Sequence, residues 1–128
     1  MTKTNLKYFT LDEFDCPTLP NSGVNMDSVF LQKLEAAREI AGIPFRINSG
    51  YRTQEHHNAI YKQLGKEPTK SAHLIGKAAD IHCTDSRSRF TIISALLDAG
   101  FNRIGIASTF IHCDTAEKGK TQNVIWTY

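Results

Sequence analysis

The sequence predicts an α+β domain, and three observations carry that prediction. Three stretches show the apolar spacing of amphipathic helices, and five short stretches alternate apolar and polar residues as half-buried strands do. The helices precede and interrupt the strands with tight links, which fits helices packed around a sheet of short strands. The chain of 128 residues is 41% hydrophobic, enough for one core, so residues 1–128 are read as a single domain without internal repeats.

The elements follow in order. TLDEFDCPTLPNSGVNM reads as an irregular leading segment, in which Thr10 and Glu13 have the spacing of a capping box. From Asp27, VFLQKLEAAREIAG places Phe30, Leu31, Leu34, Ala37 and Ile40 on one helical face, and Gly42 with Pro44 ends the helix. FRINSGY alternates as a strand that stops at Ser49 and Gly50. A second helix runs through RTQEHHNAIYKQLG, capped by Thr53 and closed by Gly65. KEPTKSAHLIG reads as a polar loop and KAADIHC as a short strand. The third helix starts at Ser86 and stops at Gly100, and RIGIAS, TFIHCD and NVIWTY supply the last three strands.

Composition excludes several classes. A net charge of +2, with both signs interspersed, lacks the clustered basic footprint of a nucleic-acid binder. No apolar run approaches the roughly 20 residues that span a bilayer. MTKTNLKYFTLDEF has no apolar core or small-residue cleavage site, so no signal peptide is expected and synthesis in the cytoplasm is. Cys16, Cys83 and Cys113 are odd in number and not in CxxC spacing, so they read as reduced thiols. A monomer is expected.

The chemistry concentrates in SAHLIGKAAD, residues 71–80. Asp80 stands in an apolar strand between Ala79 and Ile81, where an unpaired carboxylate costs several kcal/mol. His73 precedes it in a loop that Gly76 can fold back, and His112 lies in the apolar strand TFIHCD. Two histidines and a carboxylate, with a fourth position open to water, make a common catalytic zinc arrangement. Spacing alone favours the plainer readings, a satisfied core histidine and a capping or turn aspartate.

SAHLIGKAAD resembles the S-x-H-x-x-G-x-A-x-D signature of zinc D-Ala-D-Ala carboxypeptidases and murein endopeptidases. The same fold group includes D-Ala-D-Ala dipeptidases, phage L-alanyl-D-glutamate endolysins and the Hedgehog signalling domain. INSGYRT, residues 47–53, is similar to the segment preceding the first ligand, and GFNRIGI followed by FIHCD to that carrying the last; together the matches span roughly residues 45–115 in the family's order. The resemblance implies a central antiparallel sheet with helices packed on it. It also implies one Zn2+ per chain held by His73, Asp80 and His112. Arg52 matches an arginine that engages substrate or a polarised carbonyl oxygen, and Ser71 a serine beside bound substrate.

One departure stands out. Relatives carry a histidine or an acid ahead of the last ligand, where this chain has Phe110 and Thr109. Strand alternation puts Asp114 on the same face as His112, so Asp114 is the expected general base, with orientation of a ligand as its other role. His82, on the face of Asp80, is read as a satisfied strand histidine, and His56, His57 and Glu55 as solvated helix surface. Cys83 and Cys113 alternate to the opposite face as small buried hydrophobes. Trp126 and Tyr128 line a substrate groove or close the core.

The resemblance implies a zinc peptidase that hydrolyses bonds involving D-amino acids in peptidoglycan stem peptides, crosslink endopeptidase before D-Ala-D-Ala carboxypeptidase. A small single domain of this kind suits a phage lysis or tail-associated enzyme released to the cell wall, and equally a bacterial enzyme. The rival is a non-catalytic metal-binding recognition module on the same fold.

Overall fold

The computed structural model describes residues 5–128. Its three helices are α1 (Ser28–Ala41), α2 (Gln54–Gln63) and α3 (Ser86–Asp98), and its strands are β1 (Ile47–Ser49), β2 (Ala78–His82), β3 (Arg103–Ile106), β4 (Phe110–Asp114) and β5 (Val124–Thr127). The strands form one sheet in the order β1-β2-β4-β3-β5. The α+β class holds, with one correction to the expected antiparallel sheet: β5 pairs parallel with β3. It reaches that edge after an irregular segment of roughly ten residues, long enough to carry the chain back in β3's direction rather than turn as a hairpin.

Local chemistry sets the helix ends. The side chains of Asp27, Thr53 and Asp85 accept the N–H groups of Phe30, His56 and Ser88, satisfying donors that a helix start leaves open. The capping box of Thr10 and Glu13 forms on a 3-10 turn, Leu11–Phe14. The expected loop before β2 also contains a 3-10 turn, Ala72–Ile75, capped by Ser71.

Alternation along the central strands divides the sheet into two faces. Ala79, Ile81, Ile104, Ile111 and Cys113 join Phe30, Leu31 and Leu34 of α1 and Ile92 and Leu96 of α3 in the main core. Helices α1 and α3 therefore cover one face, and Asp80, His112 and Asp114 emerge on the other. Ile40 does not join the core, being 51% exposed. The buried face of α1 is centred on Phe30, Leu34, Ala37 and Ala41, and a helical rotation of 100° per residue puts Ile40 roughly 90° from its middle. Cys16, Cys83 and Cys113 are all free and buried, as small apolar groups would be. No helix among the described residues is long and apolar enough to cross a membrane.

Candidate metal centre

Strand register builds the site before any loop contributes. Asp80 of β2 lies directly opposite His112 of β4, and Gly105 of β3 opposite both His112 and Trp126 of β5. Directly opposed residues on one sheet face bring their side chains to within about 5 Å. Asp80 and His112 thus meet by pairing alone, and His112 Nδ1 sits 2.9 Å from Asp80 Oδ1. Gly105 is required in this row because a Cβ there would stand 2.6 Å from the Trp126 indole nitrogen. The space it leaves lets the indole lie 5.4 Å from the His112 ring.

His73 is delivered by the 3-10 turn. Ser71 Oγ accepts the His73 N–H at 3.2 Å, and Gly76 closes the turn with φ +70°, the left-handed conformation glycine adopts without penalty. A side chain at Gly76 would also meet the Asn25 carbonyl oxygen at 2.3 Å, so the fold-back expected of this glycine is enforced by packing as well. His73 Nε2 ends 3.4 Å from Asp80 Oδ1.

The outer nitrogens decide what the inner ones offer. His73 Nδ1 faces the Gly50 carbonyl at 2.8 Å, and a carbonyl can only accept, so Nδ1 carries the proton. His112 Nε2 faces Asp114 Oδ2 at 2.7 Å and donates to that carboxylate. When the rings are neutral, each therefore turns its lone-pair nitrogen towards Asp80. His73, Asp80 and His112 offer one ligand atom each, all within 4.8 Å of one another. Three acceptors converging on one point fit a cation, and two imidazoles with a carboxylate are a donor set that suits zinc.

Electrostatics agree with a cation-seeking cluster. Burial opposes charge on Asp80, but hydrogen bonds with His112 and His73 outweigh it and hold the carboxyl well below the usual carboxylate range. Burial likewise opposes charge on Asp114, and hydrogen bonds from His112 and Arg103 outweigh it. Burial disfavours a charged His112, yet its bonds to Asp114 and Asp80 raise its proton affinity above the ordinary histidine value. In the metal-free chain a proton competes for the nitrogen that a metal would use.

The remaining expected residues fall into two groups. Arg52 and Ser71 join the cluster in lining a cleft of ≈ 500 Å³, together with Tyr61 and Tyr128. Asp114 lines not this cleft but the adjoining depression, which shares Tyr61, Ser71, His112 and Tyr128 with it. Its Oδ2 holds His112, and its Oδ1 accepts from Arg103 Nε at 2.7 Å and from the Ala116 N–H at 3.1 Å. Trp126 and Tyr128 flank the site rather than close the core. His82 and Glu55 are exposed, and neither lines the cleft.

The residue that sequence reasoning missed is His57. Expected on a solvated helix surface, it is 0% exposed. Its Nε2 donates to the Thr69 carbonyl at 2.6 Å, which leaves Nδ1 to accept from the Arg52 guanidinium at 3.1 Å. Thr69 lies in the irregular loop that follows α2 and folds back over it, and no local pattern distinguishes His57 from its neighbour His56.

Comparison with known proteins agrees with this geometry. No curated protein matches the chain. A family model described as Peptidase M15 matches residues 7–114, which contain the whole cluster and the segments that position it. With most of its length matched, the chain belongs to the Peptidase M15 family of zinc-dependent metallopeptidases.

Proposed function

We propose that the protein is a zinc peptidase acting on peptidoglycan stem peptides, at bonds that involve D-amino acids, with crosslink endopeptidase action favoured over carboxypeptidase trimming. The observation that carries this reading is the convergence of two tautomer-fixed histidines and Asp80 in a cleft that also holds the Arg52 guanidinium. Bound zinc would supply Lewis-acid polarisation of a carbonyl and acidification of water. Arg52, held by His57, presents a fixed planar fork to a substrate carboxylate or to charge developing on the scissile carbonyl. Ser71 stands at the cleft wall with its hydroxyl beside the His73 backbone, placed to meet bound peptide. Ser71 is shared with two neighbouring depressions, so peptide can continue past the site, which favours cutting within a crosslink.

Asp114 changes role in this reading. The expected general base instead fixes the tautomer and orientation of His112 from behind, as a carboxylate does for a metal-bound imidazole. Among the described residues lining the cleft, Asp80 is the sole carboxylate, and that observation favours the second reading, a metal-binding recognition module without turnover. Purified murein separates the two. Release of peptide fragments that stops with EDTA, returns with zinc and is absent in Asp80→Ala supports the peptidase. One zinc per chain with no product supports the module, and no metal under any condition rejects both.

A further inference from the structure

Next to the metal cleft runs a groove of ≈ 600 Å³ whose lining includes Lys70, Lys77, Lys118 and Lys120 against a single acid, Glu117. The chain's net charge is only +2, so this basic concentration is local. None of the four lysines forms an ion pair among the described residues. Lys120 Nζ donates to the Lys70 carbonyl at 3.1 Å, which ties the segment after β4 to the segment before the His73 turn. Four lysines against one acid leave the groove lining net positive, and a carboxylate-bearing ligand is attracted to it.

The groove is also continuous with the metal cleft. Ser71 lines both, and Ala72, which lines the groove, immediately precedes His73. Lys70 and Lys77 bracket the turn that carries His73. A peptide lying across the cleft can therefore continue into the groove that the lysines line.

We propose that this groove is a subsite for free carboxylates of the substrate, which makes the preferred substrate an anionic peptide rather than its amidated form. The location rests on the peptidase reading, whereas the binding itself does not. A long polyanion such as a nucleic acid is the competing occupant. The wall that the groove shares with the cleft favours the peptide.

The sole tryptophan, Trp126, lines the depression that it shares with Lys70, Ser71 and Lys120, and its fluorescence reports binding. The full chain is titrated with a stem peptide bearing free carboxylates and with the same peptide amidated, under chelator so that nothing is cut. The carboxylate form is expected to bind about tenfold more tightly, from two surface charge pairs of modest strength, and the preference to shrink in about 0.5 M salt. In the double variant Lys70→Gln/Lys118→Gln, with thermal unfolding as the folding control, the preference falls to about threefold or less. Equal binding of the two peptides, or equal weakening of both in the variant, overturns the subsite. So does single-stranded DNA that binds and is not displaced by the carboxylate peptide. With zinc added, cleavage of both forms at equal KM also overturns the subsite while leaving the peptidase reading intact. Carboxylate-selective binding with no cleavage overturns the peptidase reading and leaves the subsite standing.

Discussion

Replacing Asp114 with asparagine separates the two roles this residue could have. Asp114 Oδ1 takes two donors, Arg103 Nε and the Ala116 N–H, while Oδ2 takes one, His112 Nε2. An asparagine has one acceptor and one donor group, so it must fail one side. With its NH2 at the Oδ1 position it would oppose two donors, and with its NH2 at the Oδ2 position only one. The second orientation is preferred, and there His112 Nε2 must become an acceptor. The ring proton then moves to Nδ1, the nitrogen that faces Asp80 at 2.9 Å, and a metal loses a ligand lone pair. Loss of such an outer partner costs about 10–100-fold in metal affinity, or roughly 1.4–2.7 kcal/mol. The fold should survive, because the asparagine oxygen still accepts from Arg103 and Ala116. Zinc affinity is measured by competition with a chromophoric chelator, and kcat at saturating zinc. Weakened zinc binding with turnover largely recovered at saturation is the expected outcome. Unchanged zinc affinity with kcat abolished would refute the positioning role and restore Asp114 as the base.

Three further outcomes are expected. His57→Phe fills the buried space but removes the acceptor of Arg52, so kcat/KM should fall about tenfold or more while zinc stays at one per chain; unaltered kinetics would show that Arg52 needs no such support. Gly76→Ala forces a side chain onto a φ of +70° and against the Asn25 carbonyl, and should lower stability by about 1–3 kcal/mol in urea unfolding, with an unshifted midpoint counting against the enforced turn. Zinc at about a thousandfold above its Kd stabilises the folded state by about 4 kcal/mol, so EDTA should lower Tm on the order of 10 °C. That response should vanish in Asp80→Asn, and a wild-type Tm indifferent to EDTA would argue against the metal centre.

Several features were legible in the sequence because they are encoded locally. Asp27 and Thr53 announce helix starts through hydroxyl or carboxylate groups that reach N–H groups three residues on, and that geometry needs no distant partner. The alternation of Ala79, Asp80 and Ile81, and of Ile111, His112 and Cys113, fixes which side chains leave the core, since strand side chains change face at every residue. Gly76 marks a left-handed turn that little else tolerates. From these alone, Asp80 and His112 stand out as polar groups in apolar strands, and the resemblance of the SAHLIGKAAD motif ties them, with His73, to a zinc peptidase family.

Pairing, tautomers and long-range hydrogen bonds were decided only by the tertiary structure. That Asp80 sits opposite His112 depends on register between residues 32 apart, and the parallel return of β5 on register between residues 21 apart. Asp114 shares a face with His112 whether it serves as base or as anchor, and only the partners of its two oxygens distinguish these. His57 looks like its neighbour His56 in the sequence and differs only because the Thr69 carbonyl and the Arg52 guanidinium close over it. The four lysines of the groove are unremarkable along the chain, spread over fifty residues, and become one basic surface when the segments before the His73 turn and after β4 meet. A sequence encodes which face each side chain takes through local sterics and solvation. Which atoms then meet is set by contacts between segments that the sequence holds far apart.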